Sequence, residues 1–247
     1  MNRLLMQHEY EVAASYSRSA VSASTLARLA VRPDTYHAVL ATCQMLAPDQ
    51  FNVRQMALYQ QGLTLAGGDW GYLDLLCVLR ATSVVQQPRR YLEIGVRRGR
   101  SSCVVASATP GVDIYACDMW QIGYAGSENP GPDFVSGELD KIGHRGHRVY
   151  LNGDSRTELP DLFRRDPDLR FDLITVDGDH SIKGAWADLE NVVKRLETGG
   201  VLVFDDCANP YCPGLDEVWR KFLRKHPELQ GYTYDELPPG VGFALRL

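Results

Sequence analysis

The chain lacks a membrane-length apolar run, a paired-cysteine motif, an internal repeat and any excess of positive charge. Each absence excludes something. No stretch approaches the roughly 20 apolar residues that cross a bilayer, and Met1 to Met6 is far too short for a signal-peptide core. The formal net charge of −5 argues against nucleic acid as a partner, because nucleic-acid binders present a basic face. Arg89-Arg90, Arg97-Arg98-Arg100 and the run from Arg220 to Lys225 read as helix and loop surface. The six cysteines contain no Cys-x-x-Cys pair and are too sparse for a disulfide scaffold. Cys103 and Cys117 lie on apolar faces and are expected to be buried. Cys207 and Cys212 flank a proline-containing loop and are expected to be exposed. The expectation is a reduced, cytoplasmic protein whose partners are small molecules.

What is present divides the chain in two. Residues 1–88 show helical spacing and no strong strand signal, as a helical cap would. Helices are expected over Ser22–Ala30, Thr35–Leu46, from Asn52 toward the flexible Ala66-Gly67-Gly68-Asp69, and over Trp70–Val85, with Pro33 and Pro48 as breaks. Residues 89–247 alternate apolar runs with helices. The runs are Tyr91–Ile94, Asp113–Cys117, Arg148–Leu151, Phe171–Val176 and Val201–Phe204; helices are expected at Ser101–Ala108, Ser181–Leu196 and Leu215–Lys225. Continuous rather than alternating hydrophobicity implies a parallel sheet covered on both faces. Gly231–Leu237 and Val241–Leu247 are joined only by Pro238-Pro239-Gly240, so they form an antiparallel hairpin. The expected fold is α/β and Rossmann-like: a seven-stranded sheet, parallel except for its last strand, with the helical cap in front.

Acidic and glycine-rich segments recur where these strands end. Glu93-x-Gly95-x-x-x-Gly99-x-Ser101 is a strand-to-helix turn in which glycine lets backbone approach a ligand closely. Asp118 follows the second strand, beside Met119 and Trp120. A carboxylate offers two oxygens to the two hydroxyls of a ribose. Gly153-Asp154-Ser155 follows the third strand, with Ser155 a reasonable helix cap. Asp177-Gly178-Asp179-His180 ends the fourth strand and Asp205-Asp206 the fifth. Adjacent parallel strands set Asp177 beside Asp205 and Asp206, where three carboxylates repel one another unless a cation joins them. Hard oxygen ligands favour magnesium or calcium. Gly199-Gly200 reads as the end of the helix before the fifth strand.

From Arg89 to Leu247, about two thirds of the chain, these motifs resemble the class I S-adenosylmethionine (SAM)-dependent methyltransferases. Within that class they are most similar to metal-dependent small-molecule O-methyltransferases of the catechol and antibiotic-sugar types. The resemblance implies that Gly95, Gly99 and Ser101 approach the methionine part of SAM, and that Glu93 orients its amino group, directly or through water. It implies Asp118 on the ribose, Met119 on the adenine face, and Gly153, Asp154 and Ser155 at the adenine, with Asp177 beside the cofactor. It places magnesium on Asp177, Asp205 and Asp206, next to the acceptor hydroxyl. His180 stands where the catechol enzymes carry a lysine base, so the base is His180 or a neighbouring carboxylate, Asp177 or Asp179.

The long stretch from Trp120 to Gly146 reads as a lid, with Tyr124 and Phe134 toward the pocket and His144 and His147 at the surface. Ala66 to Trp70 reads as a second segment over the cleft, and the apolar cap helices suit a homo-oligomer. The implied activity is methyl transfer from SAM to a hydroxyl of a small molecule, a natural-product or sugar intermediate. Three alternatives stand beside it: a metal-independent O- or N-methyltransferase, a SAM-fold protein with another role such as a hydroxylase-type biosynthetic partner, and an NAD-dependent oxidoreductase. The missing Gly-x-Gly-x-x-Gly spacing and the terminal hairpin count against the last.

Overall fold

The computed structural model describes residues 20–123 and 128–247. Four helices come first: α1 (Ala23–Ala30), α2 (Pro33–Met45), α3 (Gln50–Ala66) and α4 (Leu75–Gln86). The sheet then follows in alternation: β1 (Arg90–Ile94), α5 (Arg100–Ala108), β2 (Asp113–Asp118), α6 (Pro132–Lys141), β3 (Arg148–Asn152), α7 (Ser155–Arg165), β4 (Phe171–Val176), α8 (Ile182–Val193), β5 (Leu196–Asp205), α9 (Leu215–Lys225), β6 (Leu229–Tyr234) and β7 (Val241–Arg246). The seven strands run in the order β3-β2-β1-β4-β5-β7-β6, and β7 pairs antiparallel with both its neighbours. Strand order reverses between β1 and β4, so β1, β2 and β4 open a crevice at their carboxyl ends.

Each strand alternates between two cores. Tyr91, Leu173, Val201 and Val203 face the side carrying α1, α2, α4 and α5. Leu92, Ile94, Ile174, Val176, Leu202 and Phe204 face the side carrying α7, α8 and α9. The cap helices share the first core with the sheet: Leu26, Val39 and Leu79 are buried with Val104 and Phe243. Helix starts follow local capping chemistry, with Ser22, Asp49, Asp74, Asp154 and Ser181 accepting from backbone N–H groups of the first turn.

Several expectations need correction. Pro33 does not break a helix but starts α2, where its missing N–H costs nothing. Trp70 lies outside α4, which begins at Leu75 behind the Asp74 cap. Helix α8 ends at Val193, and Gly199-Gly200 sit inside β5, which starts at Leu196. Gly199 takes φ +81° there, where the β4–β5 register shifts. The stretch from Trp120 to Gly146 is not all loop, since it carries α6; Tyr124 lies outside the described residues. The last hairpin is Leu229–Tyr234 against Val241–Arg246. Among the described residues, no helix is long and apolar enough to cross a membrane.

One glycine fixes the crevice. Gly95 has φ +85°, and a Cβ on it would run into the Asp177 carbonyl of the neighbouring strand end. Gly95→Ala is therefore expected to cost about 3 kcal/mol or more, read as a lower urea midpoint. Gly137→Ala, in open space within α6, is the control and is expected to be neutral or stabilising by up to about 1 kcal/mol.

Candidate active site

A cavity of about 350 Å³ opens at the carboxyl ends of β1, β2, β3 and β4. Of the residues expected to meet a cofactor, Gly95, Asp118, Met119, Gly153, Asp154, Ser155 and Asp177 line it, and so does His180. Glu93, Gly99 and Ser101 do not. Gly99 caps α5 in a left-handed conformation (φ +72°) packed against Val135. Glu93 is fully buried on the cap side of β1 and accepts from the Ser101 and Ser102 hydroxyls. Burial pushes its carboxyl up to about 8 despite those two donors.

Asp118 organises the turn. Its Oδ2 accepts from the Val96 and Arg97 amides at 2.8 Å each, and its Oδ1 from the Trp120 amide at 2.6 Å and Asn129 Nδ2 at 3.0 Å. Four donors occupy the acceptor positions of one carboxylate. A ribose on Asp118 therefore exchanges at least one of them, and the Asn129 amide, on a side chain, is the easiest to displace. Met119 is 60% exposed beside the cavity, an apolar surface suited to a purine face. Trp120 packs edge-on against Tyr150 and donates its Nε1 to Asn152 at 2.7 Å.

The third-strand segment differs in detail from its expected form. Asp154, not Ser155, caps α7, and it also holds the Arg156 guanidinium at 2.6 Å, which keeps its carboxyl below the usual range. Ser155 instead donates to Asp188 at 2.5 Å. Asp188, on α8, is a site residue that sequence patterning passed over because it sits mid-helix. It is buried, borders the cavity, and its Oδ2 has no hydrogen-bond partner among the described residues. Burial lifts it to about 6.

The acidic corner is built from β4 and β5. His180 Nε2 lies 3.3 Å from Asp177 Oδ1 and 3.2 Å from Asp206 Oδ2. The Asp177 hydrogen bond raises the imidazole pKa and outweighs burial, which lowers it. Asp206 takes a left-handed backbone (φ +66°) and accepts from Asn209 Nδ2 at 2.8 Å. Burial and the Asp177 charge push it up to about 6, and burial with the Asp177 and Asp206 charges holds Asp205 well above the usual carboxylate range. Asp205 Oδ1 is buried without a hydrogen-bond partner among the described residues. Crowded carboxylates with an orphaned oxygen fit a divalent cation. The described ligand atoms that gather within 4.8 Å are those of His180, Asp206 and Cys212.

Other expected site features move. Cys207 is buried and Cys212 half-buried. His144 is buried, bonded through Nε2 to the Val112 carbonyl at 2.7 Å, whereas His147 is exposed as expected. Phe134 lies under the Arg98 guanidinium, away from the cavity wall. Gly67 and Gly68 line a separate groove with Pro33 and His37 and do not cover the cleft. The cap reaches the site through Asp49 instead, whose carboxylate meets Arg97 at 3.0 Å and Arg98 at 3.2 Å, and through Phe51 under the Arg97 guanidinium.

Residues 92–207 match the family model of a methyltransferase domain. These 116 residues, just under half of the chain, are similar to a methyltransferase domain. The match begins on β1 and ends just past Asp206, so it takes in the glycine turn, Asp118 and both acidic strand ends. The chain is similar to the O-methyltransferase TomG of Streptomyces achromogenes, which is involved in tomaymycin synthesis and was solved with SAM. The two are 20% identical, covering 81% of this chain and 91% of that one, with a TM-score of 0.54. An O-methyltransferase of Bacillus cereus, solved with S-adenosylhomocysteine (SAH), is 16% identical over 81% and 93% of the two chains, TM-score 0.56. A TDP-rhamnose 3′-O-methyltransferase of calicheamicin biosynthesis is 21% identical over 86% and 93%, TM-score 0.55. These likenesses establish the fold. An uncharacterized protein of Sinorhizobium fredii is 27% identical over 156 residues, 58% of this chain, and the match spans only 16% of that protein's length.

Three buried acids titrate in the same sense. Glu93, Asp188 and Asp206 all have folded pKa values above their unfolded ones, so the stability they contribute is present at low pH and is lost as pH rises. For Glu93 the window runs from 4.5 to about 8. Thermal melts of the protein are expected to fall across that window, and Glu93→Gln is expected to flatten the decline.

Proposed function

We propose that the cleft binds SAM and transfers its methyl group to a hydroxyl of a small molecule of the natural-product or sugar-intermediate class, with magnesium as a cofactor. The observation that carries this reading is the single cavity wall formed by Gly95, Asp118, Met119, Asp154, Asp177 and His180. It combines a glycine turn, a ribose-compatible carboxylate and a proton-accepting corner at the strand-order reversal. TomG was solved with SAM and the Bacillus cereus O-methyltransferase with SAH, while TomG is involved in tomaymycin synthesis and the TDP-rhamnose 3′-O-methyltransferase in calicheamicin biosynthesis.

On this reading Gly95 presents backbone to the methionyl end, Met119 packs on adenine, and Gly153 to Ser155 border it. Glu93, beneath the turn and outside the cavity wall, accepts from Ser101 and Ser102 and so holds the start of α5 under the methionyl end. Asp118 trades its Asn129 contact for the ribose hydroxyls. The Asp177–His180 pair takes the acceptor proton as the oxygen attacks the sulfonium methyl carbon in line, and SAH leaves. Asp177, Asp205 and Asp206 would hold magnesium, which lowers the hydroxyl pKa and fixes the oxygen's position.

Calorimetric titration tests the cofactor. SAH is expected to bind and NADH is not, and Asp118→Ala is expected to weaken SAH at least about tenfold; binding of NADH alone would return the oxidoreductase alternative. In transfer assays with labelled SAM over catechols and nucleotide sugars, Asp177→Asn is expected to lower kcat by about a hundredfold or more while SAH affinity stays within a few-fold. Activity that survives chelation intact would leave a metal-independent enzyme.

A further inference from the structure

The cavity wall carries an arginine to which the roles above give no task. Arg97 belongs to a basic run that reads as surface in the sequence, yet it lines the cavity two residues after Gly95. Its backbone is left-handed (φ +52°), a conformation that a residue with a Cβ keeps only where its surroundings impose it. Asp118 imposes it here by accepting from the Arg97 amide at 2.8 Å. The side chain is fixed at its far end as well. The guanidinium lies 4.4 Å over the Phe51 ring, and Nη2 donates to Asp49 at 3.0 Å. A guanidinium has five N–H donors. Among the described residues only Nη2 of this one finds an acceptor, and Nε is buried with none. The Asp49 carboxylate is itself shared, since it also meets Arg98 Nε at 3.2 Å. Arg98 has a second acid, Glu128 at 2.9 Å, whereas Arg97 has no second ion pair among the described residues.

Charge on the wall decides what such a donor meets. Five of the residues lining the cavity are aspartates, so an anionic group entering the cleft is repelled unless a cation receives it. Two arginines line the cavity. Arg156 stands at the Gly153–Ser155 end and commits Nε and Nη2 to its neighbour Asp154, at 3.0 and 2.6 Å. Arg97 stands at the Gly95 end and keeps 28% of its side chain exposed. The methionyl end of SAM, read onto Gly95, terminates in a carboxylate, the group that a guanidinium receives through paired N–H donors. We infer that Arg97 binds the cofactor's carboxylate and anchors the methionyl end beside the glycine turn. The inference rests on the cleft being the SAM site. It also gives the helical cap a part in cofactor binding, because Asp49 and Phe51, at the start of α3, hold the guanidinium in place.

Calorimetry on the full chain with SAH and with decarboxylated SAH, the same molecule without its carboxylate, tests it. The wild-type chain is expected to favour SAH by at least about tenfold. Arg97→Gln is expected to weaken SAH at least about tenfold and to leave the decarboxylated ligand within about twofold, so that the preference disappears. Arg97→Lys keeps the charge without the planar fork and is expected to fall between the two. Circular dichroism melts of both variants check that they fold. Equal affinity of the wild-type chain for the two ligands would overturn the inference. So would equal weakening of both ligands in Arg97→Gln, which marks a structural role, or a preference for SAH that survives the substitution. A KM for an anionic acceptor that rises in Arg97→Gln while SAH affinity holds would assign the residue to the acceptor and overturn it too. Failure of the wild-type chain to bind either ligand is a different result, because it removes the methyltransferase reading itself.

Discussion

The carboxyl edge of the sheet depends on one side chain holding one turn. Asp118 ends β2, and its Oδ2 takes both the Val96 and the Arg97 amides. A carboxylate accepting backbone N–H groups makes charge-assisted bonds, stronger than neutral ones. The chain that leaves β1 is thereby pinned against β2, and Gly95, without a Cβ, can close on the Asp177 carbonyl of β4. Three strands are tied at one point. The Gly178 to His180 turn, the first turn of α5 and the wall of the cavity all take their positions from it.

A second tie runs from the cap. Asp49 caps α3 through the Asn52 amide and meets both Arg97 and Arg98. The Arg97 guanidinium lies 4.4 Å above the Phe51 ring. The cap therefore grips the same turn that Asp118 grips from below. Behind it, buried Asp74 accepts from Gln55, from Tyr59 and from the Cys77 amide, and Trp70 stacks on Tyr72. Asp74 is satisfied within that layer, and the cap is a packed wall of the first core that shares its residues with the sheet.

The strands were legible because their apolar runs are continuous, and the lone antiparallel strand followed from a connection too short for a crossover. Ends of elements were less so. Gly199-Gly200 looks like a helix stop, yet β5 passes through it, because the β4 pairing extends back to Leu196. The strand-end acids were legible as a set, since strand ends in a parallel sheet share one edge. Their contacts were not: Asp118 as a turn clamp, Asp154 as a cap and Glu93 beneath the turn depend on which donors the fold brings near. Asp188, Asn209 and Cys212 lie off the motifs altogether. Spacing along the chain carries no sign that the α8 interior borders the cavity.

The most direct test of the account is a crystal structure with SAH bound. The account predicts the nucleoside in the cavity between Met119 and Ser155, the ribose hydroxyls on Asp118 with Asn129 displaced, and the methionyl end over Gly95. A nucleoside bound elsewhere, or a ribose that leaves the Asp118–Asn129 contact intact, would contradict it.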